Sequence, residues 1–197
     1  RALLHTDDAD VREDFRIAEE EIGRAQAIIK NLLEFSRESG VELERVDIND
    51  FVGRTLGLMQ KYMEDNGVQV TVDLQPIPPC VANSNAIRQI LLNLVTNAVQ
   101  AMPAGGTLVL RTHRNRFDRV CLEVQDTGIG IPKQHLNDIF NPFFTTKAPG
   151  QGTGLGLSVV HSIVKRYRGE IHVNSEVGIG TTFAVELPCP CHDIAQP

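Results

Sequence analysis

The 197-residue sequence lacks the features that would place it in several large protein classes. It has no apolar run of about 18 residues and no visible signal peptide, so it predicts neither a membrane span nor secretion. Its 25 acidic residues outnumber 19 basic ones, and the net charge of −6 argues against a general nucleic-acid surface. It contains neither a G-x-x-x-x-G-K-S/T loop nor a G-x-G-x-x-G loop, which excludes the phosphate-loop NTPases and the dinucleotide-binding folds.

Cysteine is scarce, at four residues. Cys80 and Cys121 fall in strand patterns, where we expect small buried or half-buried side chains. The segment Cys189-Pro190-Cys191-His192 carries metal-binding residue types but lacks a second ligand pair at zinc-site spacing. It is interpreted as a loose, reduced end, with residues 191–197 as a tail outside the folded domain. This cysteine usage predicts a cytoplasmic chain.

Residues 1–10 are polar and end in a helix-start signal, Asp7-Asp8-Ala9-Asp10, and one long helix is predicted from there to Ser39-Gly40. Apolar residues recur at alternating intervals of four and three, which is a heptad seam: Val11, Phe15, Ala18, Ile22, Ala25, Ile29 and Leu32. Because a heptad repeat drifts around a straight helix, packing in a helical bundle is favoured over packing against the chain's own domain. The sequence begins in mid-pattern at Arg1 without a methionine, so we expect a longer protein whose upstream segments would carry any membrane anchor.

Residues 45–190 are predicted to form one α/β domain. Periodicity and turn signals give the following order: a short strand 46–48, a helix capped by Asn49 or Asp50, strands 68–74 and 80–82, a helix 85–102, strands 107–113 and 120–126, a helix 155–168 with Gly169 at its C′ position, and strands 171–173 and 183–187. Strands joined by short connections predict a two-layer sandwich, with a mostly antiparallel mixed sheet and helices on one face.

The stretch from Asp126 to Val160 concentrates the features of a ligand site. Asp126 ends an alternating strand, and Gly128 and Gly130 follow, where the backbone must bend sharply or let a ligand lie close. A second glycine group leads into a helical pattern, whose start offers free N–H groups and a positive dipole end to phosphate: Gly150, Gly152, Gly154 and Gly156. A polar acceptor followed by an anion site is the layout of a purine nucleotide site. Glycines that serve only as turns are a weaker interpretation, because a third group follows at residues 178–180.

Asn93 and Asn97 are four residues apart on the helix predicted over residues 85–102, so their side chains share one face. A carboxamide oxygen is a suitable ligand for Mg²⁺, which prefers hard oxygen donors. Two solvated amides on an exposed helix face are an equally good interpretation of this spacing taken alone.

Five motifs occur in order along residues 89–183: QILLNLVTNAVQAM, DTGIGIP, IFNPFFTTK, GTGLGLSVV and GIGTTF. They resemble, in turn, the N box, the first glycine box, the F box, the second glycine box and the closing strand motif of the ATP-binding domain of two-component sensor histidine kinases, in particular of the nitrogen-regulation type. KNLLEFSR resembles the second helix of the dimerisation hairpin in that family. The resemblance implies the Bergerat-type ATP-binding fold that gyrase, heat-shock chaperones and mismatch-repair ATPases share.

The resemblance also implies roles at the base end of the site. Asp126 would accept a hydrogen bond from the adenine amino group, with Thr181 assisting nearby. Gly128 and Gly130 would contact the nucleotide as part of the first glycine box.

At the phosphate end, the resemblance implies that Asn97 holds Mg²⁺ between the phosphates, with Asn93 beside it as a second catalytic and cofactor-binding residue. The glycine-rich loop would contact the phosphates through Gly152, Thr153, Gly154, Leu155 and Gly156. Residues 141–153 would form a mobile lid anchored by Phe140, Phe143 and Phe144. Lys147 would either reach phosphate or remain a solvated lid charge, and the sequence leaves both interpretations open.

The implied function is transfer of the γ-phosphoryl group of Mg-ATP to a histidine and then to an aspartate of a response regulator receiver domain. A homodimer would form through the heptad helix and a partner helix that this sequence lacks. None of the six histidines fits the family's H box, so we expect the acceptor upstream of Arg1 and no self-phosphorylation. Gln100 stands where many relatives carry a basic residue, which puts a phosphate contact of that side chain in doubt.

Two alternative functions remain open. Hydrolases of the same fold place a glutamate four residues before the Mg²⁺ asparagine, where it activates water. This sequence has Asn93 there, and a neutral amide cannot take a proton from water, so hydrolysis should be slow. A degenerate nucleotide-sensing module without transfer activity is the second alternative, and the intact glycine boxes and both asparagines disfavour it.

Overall fold

A computed structural model of the chain describes residues 43–147 and 152–188, together with Val11, Phe15 and Arg16. These three isolated residues are helical. The rest of the heptad prediction for residues 1–40, and the predicted tail at residues 191–197, lie outside the described residues.

The described part of the chain contains seven strands and three α-helices in mixed order. They are β1 (Glu44–Val46), α1 (Ile48–Asp65), β2 (Val68–Leu74), β3 (Cys80–Ala82), α2 (Ser84–Gln100), β4 (Gly106–Arg114), β5 (Arg119–Asp126), α3 (Gly156–Arg166), β6 (Glu170–Glu176) and β7 (Gly180–Pro188), with a short 3-10 turn at Lys133–His135. Each of these helices is too short or too polar to cross a bilayer.

The sheet confirms the predicted mixed, mostly antiparallel topology. Five strands lie in the order β2-β4-β5-β7-β6. Only the β2–β4 pair is parallel among them, and the other three pairs are antiparallel. A separate antiparallel pair, β1 with β3, lies outside this sheet.

One hydrophobic core fills the space between the sheet and the helices. Alternate residues of β4 and β5 turn towards the helices and are at most 3% exposed: Leu108, Leu110, Val120, Leu122 and Val124. Helix α2 contributes Ile90, Leu91 and Leu94, each 1% exposed or less. Burying each such side chain stabilises the fold by roughly 1.5–3 kcal/mol, and Leu94→Ala would cost about 2–5 kcal/mol with the cavity included. The core therefore fixes which face of α2 remains for a ligand.

The start of α1 differs from the prediction. The helix begins at Ile48 and its N-cap is Asp47, whose Oδ1 accepts a hydrogen bond from the N–H of Asp50 at 3.1 Å. Asn49 is not a cap, because its side chain bonds across the fold to the carbonyl of Gln75 at 2.9 Å and to the hydroxyl of Thr112 at 2.6 Å. The predicted strand 46–48 therefore ends at Val46.

The end of α3 also differs. Arg168 occupies the C′ position with a φ of 53°, so the prediction that Gly169 lies there is wrong. The N–H of Gly169 donates to the carbonyl of Val164 at 2.9 Å, and the N–H of Arg168 donates to the carbonyl of Lys165 at 2.9 Å. These two bonds form a Schellman motif whose C′ residue comes one position before the predicted one. Gly169 is required for space: a Cβ there would lie 2.4 Å from the carbonyl oxygen of Glu186.

The two cysteines in the described part behave as predicted in burial. Cys80 is 2% exposed and Cys121 is 3% exposed. They differ in chemistry, since Cys80 is disulfide-bonded whereas Cys121 is a free thiol.

Candidate functional site

Helix α2 presents Asn93 and Asn97 on one half-buried stripe next to its fully buried side. The helix is fixed at its start by Asn83, whose side chain accepts a hydrogen bond from the N–H of Ala86 at 3.0 Å. Within the described residues, neither carboxamide of the stripe has a hydrogen-bond partner. Two hard oxygen donors are therefore available to a ligand.

The first turn of α3 faces this stripe. A Cβ built at Gly156 would lie 3.2 Å from Oδ1 of Asn93 and 3.6 Å from Nδ2 of Asn97. Any larger residue would enter the space between the two helices. The residue before Gly156, Leu155, is 6% exposed and provides no side-chain cap, so the first N–H groups of α3 are left for another acceptor. The positive end of the α3 dipole thus points to the two asparagines.

Asp126 lies at the last position of β5 and is 5% exposed. Its Oδ1 accepts hydrogen bonds from the N–H of Gly128 at 2.8 Å and of Thr181 at 3.3 Å. Its Oδ2 has no partner among the residues that the structure describes. Burial raises the pKa of this carboxyl above its ordinary value of 3.8, while the two N–H bonds act in the opposite direction. The site therefore holds a largely buried carboxylate with one oxygen bonded within the protein and the other open to a ligand.

The turn after Asp126 packs on the end of α2. The N–H of Ile129 donates to the carbonyl of Ala101 at 2.9 Å. A Cβ at Gly128 would lie 2.4 Å from that same carbonyl oxygen, so only glycine allows this contact. Because Ala101 comes one turn after Asn97 on the same helix, the structure brings the predicted base end and phosphate end together along α2.

Ser175 is a site residue that the sequence did not predict. Its hydroxyl accepts a hydrogen bond from the N–H of Ile131 at 2.8 Å and lies 2.8 Å from the hydroxyl of Thr181. Thr181 is 4% exposed, and it contacts Asp126 through its backbone N–H while its hydroxyl faces Ser175. Thr181 therefore lies beside Asp126, as predicted, and orients the carboxylate. The loop at Gly130 is held against β6 by the same serine.

Two of the three phenylalanines predicted to anchor a lid are half-buried and pack against histidine rings. Phe140 stacks on His161 at 5.1 Å between ring centroids, and Phe144 lies 5.5 Å from His135. Phe143 is 62% exposed and has a φ of 68°, so its predicted anchoring role is wrong. Its backbone N–H instead donates to the carbonyl of Gly154 at 3.0 Å, which closes the base of the lid.

Lys147 lies at the edge of the predicted phosphate end. Its Nζ donates to Oε1 of Gln100, one turn beyond Asn97 on α2. Burial lowers the pKa of this amine. On the far side of the lid, a Cβ at Gly152 would lie 3.1 Å from the side chain of Lys147, and Oγ1 of Thr153 accepts from the N–H of Leu155 at 3.3 Å. The lid residues 148–151, Gly150 among them, lie outside the described residues.

Comparison with known proteins places these features in one family. Residues 82–190 match the family described as histidine kinase-, DNA gyrase B- and HSP90-like ATPases. The chain is 39% identical to the sensor kinase CckA of Brucella abortus, over 84% of this chain and 19% of that protein. The chain thus spans about a fifth of this relative's length.

Two solved structures share the fold. Full-length ShkA in complex with AMPPNP is 26% identical with a TM-score of 0.78, over 95% of this chain and 40% of that one. The histidine kinase ThkA in complex with the response regulator protein TrrA is 26% identical with a TM-score of 0.76, over 94% of this chain and 54% of that one.

Proposed function

Because the chain belongs to the family of histidine kinase-, DNA gyrase B- and HSP90-like ATPases, and within it to the sensor histidine kinases, we propose that it binds Mg-ATP and transfers the γ-phosphoryl group to a histidine on a dimerisation helix. A response regulator aspartate would then receive the phosphoryl group. The structures of ShkA with AMPPNP and of ThkA with TrrA support the nucleotide and the regulator respectively.

The proposal rests on the close approach of α2 and α3. Oδ1 of Asn93 lies 3.2 Å from the Cβ position of Gly156, where α3 begins without a side-chain cap. Phosphate oxygens placed here would accept from the first N–H groups of α3. Lys147, held by Gln100, would add one positive charge at the edge of the same space. Phosphoryl transfer depends mainly on such positioning and charge neutralisation.

The donor set also fits Mg²⁺. The carboxamide oxygens of Asn97 and Asn93 are hard ligands, and neither carboxamide bonds to another described residue. When bound, Mg²⁺ would neutralise the charge that develops on the transferred group. Asn97 would contribute the protein ligand, with Asn93 beside it.

Base selection would rest on Asp126. The carboxylate is 5% exposed, and Oδ1 is already occupied by the N–H groups of Gly128 and Thr181. The second oxygen, Oδ2, would accept from the adenine amino group.

Transfer is favoured over hydrolysis by Asn93. A carboxamide cannot act as a general base, and in the same-fold hydrolases a glutamate stands at the corresponding position. Three of the four described histidines are poorly placed as acceptors: His113 and His172 lie on strands at the sheet face away from α2, and His161 stacks on Phe140. The acceptor would lie on a helix outside this sequence, in a homodimer formed through the heptad helix.

Labelling with γ-radiolabelled ATP tests the proposal. The full chain is incubated alone, and with the helical hairpin of the CckA relative supplied separately, at equal Mg²⁺. We expect acid-labile label on the hairpin and none on the chain, with Asn97→Ala as the inactive control. Transfer should be slower than in a tethered protein, because the effective concentration of the hairpin is lost.

Three other outcomes would contradict the proposal in different ways. Strong acid-labile labelling of the chain itself would place the acceptor within it, with His5 the first residue to test. Rapid release of inorganic phosphate without transfer would indicate a hydrolase. Tight ATP binding with neither reaction would indicate a nucleotide-sensing module.

A further inference from the structure

The sheet face turned away from the helices carries a compact cluster of three different metal-ligand types. His113 on β4 is the direct cross-strand partner of Cys121 on β5, and Glu123 is two residues further along β5 on the same face. The imidazole nitrogen, the thiol sulfur and the carboxylate oxygen all lie within 4.8 Å of one another. The register of β4 with β5 and the alternation of side chains along β5 therefore bring these three side chains together.

Cys121 is the centre of this cluster. It is 3% exposed, and no hydrogen bond joins its Sγ to another described residue. Its cross-strand partner on β7 is Glu186, so a carboxylate lies on a second side of the thiol. Burial and the charges of Glu123 and Glu186 raise the pKa of the thiol to about 12. The sulfur is thus shielded from solvent and lies in a region of negative electrostatic potential.

Arg111 brings a positive charge to the edge of this cluster. Nη1 of Arg111 lies 3.6 Å from Oε2 of Glu123, in a pair of which both side chains are partly exposed. Such a pair contributes little, and the same nitrogen donates a hydrogen bond to Oε1 of Gln125 at 2.8 Å. Glu186 uses Oε2 to accept a hydrogen bond from Asn115 at 2.9 Å, which fixes its position beside the sulfur.

We propose that His113, Cys121 and Glu123 form a binding site for a transition-metal cation, with Zn²⁺ as the favoured ion. Nitrogen, sulfur and oxygen ligands together suit Zn²⁺, whereas Mg²⁺ takes oxygen ligands only. Tetrahedral bond lengths of about 2.0–2.3 Å put ligand atoms about 3.3–3.8 Å apart, so the three groups close by roughly 1 Å on binding. The thiol proton leaves to solvent as the sulfur–metal bond forms.

The cation would tie β4 to β5 at a distance from the nucleotide site. Cys121 is five residues before Asp126 on β5, which is about 16 Å along the strand, and the two side chains point to opposite faces. Metal binding should therefore stabilise the folded protein and leave the affinity for ATP unchanged. The proposal is independent of the nucleotide function.

Cobalt binding provides the direct test, since Co²⁺ substitutes for Zn²⁺ and shows a sulfur-to-metal charge-transfer band in the near ultraviolet. The full chain is used under reducing conditions, with Cys80→Ala, Cys189→Ser, Cys191→Ser and His192→Asn introduced together so that those four residues cannot contribute. We expect the band at one equivalent of Co²⁺, its loss on addition of Zn²⁺, and a higher melting temperature with Zn²⁺ than without.

Matched variants decide which residues bind. Cys121→Ser should abolish the band, and His113→Asn should weaken Co²⁺ binding at least about tenfold. His172→Asn, an exposed histidine on the same sheet face, should leave it unchanged. The proposal fails if the band is absent, if it survives in Cys121→Ser, or if His113→Asn and His172→Asn behave alike. Because His113 is only half-buried, its variant gives a result even where Cys121→Ser does not fold.

Discussion

Oδ1 of Asp126 accepts a hydrogen bond from the N–H of Gly128 at 2.8 Å, so one oxygen of this carboxylate holds the turn that follows it. A carboxylate in this position can serve either to cap the turn or to recognise a base. The geometry allows both, because Oδ2 has no partner among the described residues. The two roles can therefore be separated by substitutions that affect one oxygen or both.

Asp126→Asn is expected to change base selection while keeping the turn. An asparagine Oδ1 can still accept from Gly128, whereas its amide can donate to the guanine carbonyl oxygen. In the parent, the Asp126 carboxylate and the guanine carbonyl oxygen are both acceptors, and placing them opposite each other costs about 2–4 kcal/mol. This cost predicts an ATP preference over GTP of roughly thirty- to a thousand-fold. Competition binding should show weaker ATP binding and a smaller ATP/GTP ratio in the variant.

A melting curve without ligand serves as the control for this substitution. Asp126→Asn should melt no lower than the parent, and Asp126→Ala should melt lower because it leaves the N–H of Gly128 unpaired. An unchanged ATP/GTP ratio in a folded Asp126→Asn protein would remove Asp126 from base recognition.

Acidification should affect stability and ATP binding in opposite directions through Asp126. Burial raises the pKa of this carboxyl above 3.8, so the folded state binds the proton more tightly than the unfolded state. Stability relative to Asp126→Asn should therefore rise as pH falls through the folded pKa. ATP affinity relative to the same variant should fall over that range, because the carboxylate acceptor is lost.

The measurement is a set of ATP titrations and melting curves of both proteins at decreasing pH. Comparing the parent with Asp126→Asn at each pH cancels the effects of protonation of ATP itself and of other side chains on affinity and stability. Parallel pH profiles for the two proteins would show that Asp126 does not titrate in this range.

Moving the positive charge from position 147 to position 100 tests the role of Lys147. Gln100 accepts a hydrogen bond from Lys147. Lys147→Gln should weaken Mg-ATP binding about ten- to a hundred-fold, the value of a hydrogen bond to a charged group. Adding Gln100→Lys should restore much of the loss, because the positive charge returns to the same edge of the site. If the double variant binds no better than Lys147→Gln, the lysine is a solvated lid charge.

The end of α3 gives a prediction for stability. Arg168 has a φ of 53°, a conformation that costs a non-glycine residue about 1 kcal/mol or more. Arg168→Gly should therefore stabilise the protein by about 0.5–1 kcal/mol after the entropy of glycine is allowed for. Gly169→Ala should destabilise it by about 1–3 kcal/mol, since the new Cβ would lie 2.4 Å from the carbonyl oxygen of Glu186. Denaturant unfolding of both variants checks the pair, and a stability order opposite to this one would contradict the Schellman assignment.

Short-range spacing was enough to select most of the residues that the structure brings together at the candidate site. The i, i+4 spacing of Asn93 and Asn97, the acidic end of β5 and the glycines before α3 are local patterns, and the structure brings them together along α2. Strand alternation likewise predicted β2 and β3 at their observed bounds.

The failures concern contacts between residues distant in sequence. Ser175, the bond of Lys147 to Gln100 and the cluster at Cys121 depend on strand register or lid placement, which no local pattern contains. The cap of α1 was misassigned because Asp47, Asn49 and Asp50 are all good capping residues, and tertiary bonds to Gln75 and Thr112 take up Asn49. Phe143 was misassigned because its residue type indicates an anchor, whereas its positive φ turns the ring to solvent.

Calorimetric titration with a non-hydrolysable ATP analogue, with and without Mg²⁺, tests the central claim most directly. The account predicts binding to the parent that Mg²⁺ strengthens, and a loss of that Mg²⁺ effect in Asn97→Ala. Gln89→Ala, at the other end of α2, is the matched control and should bind as the parent does. Equal binding by the parent and Asn97→Ala in both conditions would contradict the assignment of the nucleotide site to the junction of α2 and α3.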